Sequence, residues 1–308
     1  MEEKELFSHI DEVDSEKFLA MLKKQAESKP LMDNHITKNK KSLPLVPLLV
    51  LGVIVIFTLL AGVIYPKDPS YMELGERSLA PSSRHFFGTD SLGRDVFGMV
   101  VHGGQLSLLV GGVSTIISTI IAVIMGCLTA LLPKTLRSLL SRFIDLVLSI
   151  PSILLMIFIQ AITGGNTWLS ISLSIGLSSW MTMAKMIKAQ VNRIKGEEYI
   201  YLAKYYGGGF FYLLKKHFLP TLVPIIFFMA FTGLGHAITA EATLSFLGIG
   251  FPMEIITWGS LLSLSGQALL TKSWWVIIIP GVFLVLTVVS LVEIGDYIRK
   301  RNGIEKKL

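Results

Sequence analysis

Six long runs of apolar residues alternate with polar segments along the chain. Each run is close to or above the length of about 20 residues that a helix needs to cross a bilayer. We predict helices in all six, because an open strand would leave backbone N–H and C=O groups unpaired in lipid. The pattern therefore predicts an all-α membrane protein with six transmembrane helices. The predicted spans are residues 45–64, 106–132, 143–162, 167–184, 219–240 and 274–292.

The composition agrees with this pattern. Of the 308 residues, 52% are hydrophobic and only 16% are charged, and the mean hydropathy is +0.62. Soluble domains carry about 25% charged residues, so an ordinary cytosolic enzyme is excluded. Intrinsic disorder is excluded as well, because disordered chains are poor in hydrophobic residues. The single cysteine, Cys127, lies in an apolar run, which excludes a disulfide framework.

Lysine and arginine are unevenly divided between the two sides of the predicted spans. Of the 28 such residues, 23 fall on the side of both termini and five on the other. Basic loops stay in the cytoplasm, so we expect cytoplasmic termini, and the net charge of +6 requires no nucleic-acid partner. The expected divisions are a cytoplasmic tail (1–44), a transmembrane domain (45–293) with an extracytoplasmic segment (65–105) and a cytoplasmic loop (185–218), and a cytoplasmic tail (294–308).

The sequence lacks the motifs of common nucleotide and metal sites. The dipeptide Gly-Lys never occurs, which excludes a Walker A loop, and neither HExxH nor another metal-ligand spacing is present. Asp145 and His236 lie within predicted spans, and Glu241 lies at the outer end of the fifth. We expect Asp145 to have a structural role beside Arg142 and His236 to be a hydrogen-bonded packing residue. A proton-coupled pump would need more buried ionisable groups, so we expect the energy source to lie elsewhere. Because the motifs above are missing, we predict no catalytic residue, no metal and no directly bound cofactor.

The cytoplasmic loop 185–218 contains a helix–break–helix pattern. Helix-forming residues run from 198 to 206, glycines at 207–209 interrupt them, and a second helical run leads to Leu219-Pro220. Proline suits the first turn of the fifth span, because it has no N–H to leave unpaired there. The pattern predicts an element that projects from the membrane and inserts into a groove on a partner.

This loop resembles the cytoplasmic EAA loop of ABC importer permeases, in which Glu-Ala-Ala is followed by a glycine and later by Leu-Pro. Four residues match that pattern at its spacing, whereas Tyr201 stands in place of the glutamate. The resemblance implies that residues 185–218, hereafter the coupling loop, contact an ATPase subunit. The residues expected to take part, within the loop and just after it, are Glu198, Tyr201, Leu202, Ala203, Lys204, Gly207, Gly208, Leu219 and Pro220.

A second segment, GTDSLGRD, follows the first predicted span. Its residue types indicate local roles: glycines permit tight turns, Asp90 caps a turn, and Arg94 pairs with a carboxylate. The segment resembles the hallmark G-T-D-x-x-G-R-D stretch of permeases for dipeptides, oligopeptides and nickel. The matching residues are Gly88, Thr89, Asp90, Gly93, Arg94 and Asp95.

A third segment, EATLSFLGIG, lies at the outer end of the fifth predicted span and is followed by a Trp-Gly pair. It resembles the E-A-x-L-S-F-L-G-x-G stretch of the same permeases. Trp258, Trp274 and Trp275 are predicted to lie at the headgroup level as interfacial anchors. The residues taken as hallmarks are Glu241, Ser245, Gly248, Trp258 and Gly259.

The resemblance implies a type I ABC importer permease in a bacterial cell membrane, as the second permease subunit. This chain would form half of the translocation pathway for di- or oligopeptides, and a homologous permease subunit would form the other half. Two ATP-binding subunits would use ATP and Mg²⁺, and an extracytoplasmic binding protein or lipoprotein would deliver the substrate. The chain itself would not be an enzyme. Import of nickel or a metal chelate is the alternative cargo, and an ATP-independent secondary transporter or a membrane scaffold is the alternative class.

The residues that contact substrate are not predicted from the sequence. The fourth span is rich in serine, and small residues of this kind commonly serve helix packing in membranes. We expect packing rather than substrate binding for Ser170, Ser172, Ser174, Ser178 and Ser179.

Overall fold

A computed structural model of the chain describes residues 43–164, 167–252 and 254–302. In these ranges the regular structure is helical, apart from one isolated antiparallel bridge between Thr89 and Asp95. The helices are α1 Leu45–Leu59, α2 Ala61–Ile64, α3 Val96–Leu131, α4 Lys134–Leu148, α5 Ser152–Thr163, α6 Trp168–Lys195, α7 Glu198–Tyr205, α8 Phe210–Leu213, α9 Leu219–Phe246, α10 Trp258–Ser263, α11 Ser265–Leu270 and α12 Trp275–Arg301.

Two short elements complete the description. A 3₁₀ turn, Leu74–Glu76, lies in the predicted extracytoplasmic segment, and a π-helical turn, Leu214–Phe218, leads from α8 into α9. Of the predicted tail 1–44, only residues 43 and 44 belong to the described part of the chain. The predicted tail 294–308 is described up to residue 302.

Three helical segments of the described residues are long and apolar enough to cross a membrane: α3, Lys215–Phe246 (which contains α9) and α12. The bent pair of α4 and α5 is a fourth candidate, and α1 is a shorter apolar helix. Helix α6 has 28 residues but is more polar, because it carries serines and a basic last turn. An all-helical fold with membrane-spanning helices is thus confirmed for the described residues. The count of six spans and the side of the termini remain predictions.

Helices α3 and α6 pack closely along much of their length. Helix α3 begins earlier than its predicted span, because Asp95 caps it by accepting the Phe97 N–H at 2.9 Å. Glycine allows the two backbones to approach: a Cβ added at Gly126 would lie 2.8 Å from the carbonyl oxygen of Ala184. In a membrane, where lipid is as apolar as leucine, such small-residue contacts help hold helices together.

The third predicted span, residues 143–162, is not one helix. Helices α4 and α5 form an angle of 93° across a short break. Pro151 causes the break, because it lacks an N–H and disfavours the helical conformation of Ile150 before it. The prediction of a single helix is therefore wrong. It failed because a proline within an apolar run leaves the hydropathy pattern unchanged.

Polar contacts join α4 to α6 below this bend. Asp145 pairs with Lys185 at 2.5 Å, and Lys188 Nζ donates to Ser141 Oγ at 2.6 Å. Asp145 does form an ion pair between helices, but its partner is Lys185 of the neighbouring helix rather than the predicted Arg142.

The serines of α6 serve the helix itself and its neighbour. Ser172 donates to the Trp168 carbonyl at 2.7 Å, and Ser174 donates to Gln160 Oε1 of α5 at 2.9 Å. Ser178 donates to the Ser174 carbonyl at 2.8 Å. All three are buried, which confirms the packing role predicted for them.

Candidate functional site

The GTDSLGRD segment folds into a compact turn before α3. Gly88 and Gly93 have φ angles of +73° and +78°, which side chains other than glycine rarely adopt. A Cβ at Gly93 would also overlap the Glu73 backbone. Asp90 caps the turn, with Oδ1 accepting the N–H groups of Leu92 and Arg94 at 2.9 and 2.8 Å. The turn roles predicted for both glycines and for Asp90 are confirmed.

Arg94 forms a buried ion pair with Asp90. Its Nε and Nη2 lie 2.8 and 2.7 Å from Asp90 Oδ2, and both residues are almost fully buried. The predicted pairing of Arg94 with a carboxylate is therefore confirmed. Because both side chains are almost fully buried, the pair fixes the turn rather than offering a surface for a ligand.

The same turn is attached to the last helix and to the loop before it. Thr89 Oγ1 donates to the Glu76 carbonyl at 2.5 Å, and the Thr89 carbonyl accepts Trp275 Nε1–H at 3.0 Å. His85 lies between two carboxylates, 2.9 Å from Asp95 Oδ2 and 3.0 Å from Glu76 Oε2. These contacts hold the segment between α2 and α3 against the starts of α3 and α12.

Glu241 is the centre of a second buried network. It is 0% exposed and accepts three hydroxyl hydrogen bonds. Ser245 and Thr257 donate to its Oε1, each at 2.9 Å, and Ser107 donates to Oε2 at 3.1 Å. Ser107 Oγ in turn accepts the Trp258 N–H at 3.1 Å. One carboxylate therefore joins α3, α9 and the segment before α10.

Trp258 and Gly259 complete this network by packing. Trp258 is 0% exposed, and its Nε1–H donates to the Val100 carbonyl at 3.0 Å. A Cβ at Gly259 would lie 2.5 Å from Ala242 Cα, so only glycine permits this contact between α10 and α9. Gly248, with a φ of +75°, follows the end of α9 and turns the chain toward α10. We call the turn of residues 88–95 and the Glu241 network together the outer junction, after the side of the membrane on which the sequence predicts it to lie.

The interfacial role predicted for the tryptophans is wrong for two of them. Trp258 is fully buried, and Trp275 is 7% exposed with its N–H bonded to Thr89. Trp274 is exposed, so the prediction of an interfacial anchor still stands for this residue. Tryptophan is enriched at the headgroup level only where it faces lipid. The sequence alone does not show which of these three rings face inward. Sequence reasoning also missed Thr257, because its role depends on a contact with the distant Glu241.

The coupling loop has the predicted helix–break–helix form. Helix α7 ends at Tyr205, Gly207 follows with a φ of +80°, and the Gly208 N–H donates to the Ala203 carbonyl at 2.8 Å. That bond is the six-to-one bond of a Schellman motif, which ends helices at glycine. Gly208 is itself restricted, because a Cβ there would lie 2.6 Å from the same carbonyl oxygen. Pro220 lies in the first turn of α9, as predicted.

The tip of the coupling loop exposes aromatic side chains. Tyr205 and Tyr206 are 85% and 82% exposed, whereas Ile200 is buried and fixes α7 to the bundle. Among the other residues predicted to couple, Glu198, Leu202, Leu219 and Pro220 are exposed, Tyr201 and Ala203 are partly buried, and Lys204 lies within α7. Exposed tyrosines next to a rigid break are suited to insertion into a partner. The structure does not bring the coupling loop and the outer junction together; they lie at opposite ends of α9.

We predict that Arg94→Lys destabilises the subunit by about 2 kcal/mol, because lysine replaces two charge-assisted contacts by one. The matched control is Arg84→Lys: Arg84 pairs with Glu76 but is 73% exposed, and exposed pairs contribute little. Thermal unfolding of both variants in detergent checks the difference. An Arg94→Lys protein as stable as the Arg84→Lys protein would contradict the structural importance of the buried pair.

Comparison with known proteins establishes the family. Residues 118–302 match the family of the binding-protein-dependent transport system inner membrane component. The chain belongs to this family and is therefore a membrane permease component of such a transport system. The family predicted from the three segments is confirmed.

Relatives of similar length carry names from peptide transport. A putative peptide permease protein of Brucella suis biovar 1 is 34% identical over 235 residues, which cover 76% of this chain and 78% of that protein. The dipeptide transport system permease protein DppC of Bacillus subtilis is 30% identical over 262 residues, covering 85% and 81%. The oligopeptide permease protein OppC of the same organism is 28% identical over 276 residues, covering 90% and 89%.

A solved structure shares the fold. The MetNI methionine ABC transporter in an inward-facing conformation aligns with a TM-score of 0.51 at 20% identity. The alignment covers 66% of this chain and 96% of that chain. An ABC transporter permease fold is thus shown for the greater part of this protein.

Proposed function

We propose that this chain is the integral-membrane permease subunit of an ATP-driven importer and forms half of the translocation pathway for di- or oligopeptides. An external binding protein, soluble or lipid-anchored, delivers the peptides. The observation that carries the proposal is the projecting coupling loop on a chain whose relatives are named as peptide, dipeptide and oligopeptide permeases.

The proposed arrangement has six transmembrane helices in a type I architecture, with both termini and the coupling loop in the cytoplasm of a bacterial cell. The division of 23 basic residues against five supports this orientation. The outer junction then lies at the opposite, extracytoplasmic end, where the binding protein docks.

Energy reaches the permease through the coupling loop. Its exposed tip, with Tyr205 and Tyr206, inserts into a groove of a cytoplasmic ATP-binding subunit. When two such subunits close on ATP and Mg²⁺, they push α7 and α8. The end of α6 forms the start of the loop and α9 follows it directly, so these two helices tip the bundle from inward-open to outward-open. Such a change is a shift between two packed states, biased by the partner.

The ATPase chemistry is assigned to the partner subunits. The chain has no Gly-Lys dipeptide and hence no Walker A loop of its own. A homologous second permease subunit supplies the other half of the pathway, and this chain acts as a conduit rather than as an enzyme.

Reconstitution of the whole transporter tests this function. The complex of both permeases and both ATP-binding subunits is placed in liposomes with the binding protein, and uptake of trialanine is measured. We expect uptake that requires ATP and stops when the ATP-binding subunits are made hydrolysis-deficient. Uptake that continues with hydrolysis-deficient subunits would instead indicate a secondary transporter. Uptake of nickel but not of peptides would overturn the proposed cargo.

A further inference from the structure

One exposed face of α9 is polar although it lies in a membrane-spanning segment. His236 and Thr239 are exposed on the subunit surface, and Thr243 is partly exposed. Their spacing of three and four residues puts them on one face of the helix. The expectation that His236 packs inside the subunit is therefore wrong. We call these three residues the polar stripe.

The exposed faces of the other long apolar helices are different. Helix α3 exposes Ile116, Ile120 and Ile124, and α12 exposes aliphatic side chains such as Val285 and Val289. Both of those faces suit contact with lipid tails. The polar stripe does not, so its surroundings in the assembled transporter differ from theirs.

His236, the innermost residue of the stripe, lies well inside the candidate span Lys215–Phe246. His236 is about 15 Å along the helix from the end of α9 at Phe246, at 1.5 Å per residue. The hydrocarbon core is only about 30 Å thick. Ionisable side chains at such depth are costly in lipid and generally face a bundle interior or a water-filled cavity.

We propose that the polar stripe lines the water-filled translocation path and binds the backbone of the transported peptide. This inference rests on the proposed function and adds to it the residues that contact substrate.

The hydrogen-bonding chemistry of the stripe fits a peptide backbone. Thr239 Oγ1 donates to the Gly235 carbonyl at 2.9 Å, and Thr243 Oγ1 donates to the Thr239 carbonyl at 2.7 Å. Each hydroxyl proton is thus directed to the helix, and each oxygen keeps lone pairs to accept an N–H. The imidazole of His236 both donates and accepts. These groups recognise amide N–H and C=O groups, which every peptide has, whatever its side chains.

Cysteine labelling tests the proposal in the complete transporter. The lone cysteine is first removed by Cys127→Ser, and His236→Cys is then compared with Val289→Cys on the aliphatic face of α12. A charged, membrane-impermeant methanethiosulfonate is applied, and the mass of this subunit reports labelling. We expect His236→Cys to react at least about tenfold faster, because a thiol in lipid ionises poorly and each unit of pKa changes the thiolate fraction tenfold. Saturating trialanine is expected to slow its labelling.

The other outcomes separate the alternatives. Labelling of His236→Cys as slow as that of Val289→Cys would place the stripe against lipid and overturn the proposal. Slow labelling together with a cross-link to the second permease would make the stripe a subunit interface, which overturns it too. Fast labelling that trialanine leaves unchanged, in a transporter that takes up trialanine, would refute the binding role. Absence of trialanine uptake by the unmodified transporter would refute the proposed cargo, whereas fast labelling would still support a water-filled path.

Discussion

Replacing Gly207 by valine is expected to abolish uptake while the subunit still inserts and assembles. Gly207 has a φ of +80°, and a β-branched residue in this left-handed region is strained by about 1–2 kcal/mol or more. The break between α7 and α8 then shifts, and the bond from the Gly208 N–H to the Ala203 carbonyl is lost. Uptake and ATP hydrolysis are measured in the reconstituted transporter, and assembly is checked by co-purification.

The control for this change lies two residues away. Gly209 has no positive φ, and a Cβ added there meets no atom within 4 Å. Gly209→Val is therefore expected to retain most of the uptake, although it changes the same loop by the same side chain. Normal uptake by the Gly207→Val transporter would refute the role of this break in coupling.

Removing the carboxylate of Glu241 is expected to have the second large effect. Glu241→Leu leaves the hydroxyls of Ser107, Ser245 and Thr257 without their shared acceptor in a buried site. An unpaired buried polar group costs about 1–3 kcal/mol, so a loss of about 3 kcal/mol or more in stability is expected. The measurements are the level of the subunit in membranes and its thermal unfolding in detergent.

Two further variants distinguish loss of the hydrogen-bond network from the general effect of removing a negative charge. Glu241→Gln keeps one carbonyl oxygen as acceptor, so it is expected to lose less stability than Glu241→Leu. Glu254 is exposed and lies near the same end of the protein, so Glu254→Leu serves as the control with little expected change. Equal stability of the Glu241→Leu and Glu254→Leu proteins would show that the network contributes nothing.

Local features of the outer junction and of the coupling loop were predictable from the sequence. The turns at Gly88 and Gly93 and the helix end at Gly207 depend on a property of glycine that needs no distant partner. The pair of Asp90 and Arg94 is four residues apart, so the chain brings it together within one turn. The long apolar helices were likewise indicated by hydropathy, which each segment carries by itself.

Other features depend on contacts between distant parts of the chain and could not be predicted in this way. Ser107 and Glu241 are 134 residues apart in the sequence and meet only because α3 packs on α9. The same packing decides that Trp258 faces inward and that His236 faces outward. The bend at Pro151 was not predicted, because the hydropathy of a segment contains no information on the direction of its backbone.

Helix α3 is long enough to connect the two ends of the bundle by itself. At 36 residues the helix is about 54 Å long, well beyond the hydrocarbon thickness of about 30 Å. Its outer end is fixed by Asp95 and Trp258, and along its length it packs on α6, which leads into α7. A rigid rod of this length that tilts by about 5° displaces one end by about 5 Å relative to the other. In the proposed arrangement, α3 would carry a small rotation at the coupling-loop end of the bundle to the outer junction at its other end.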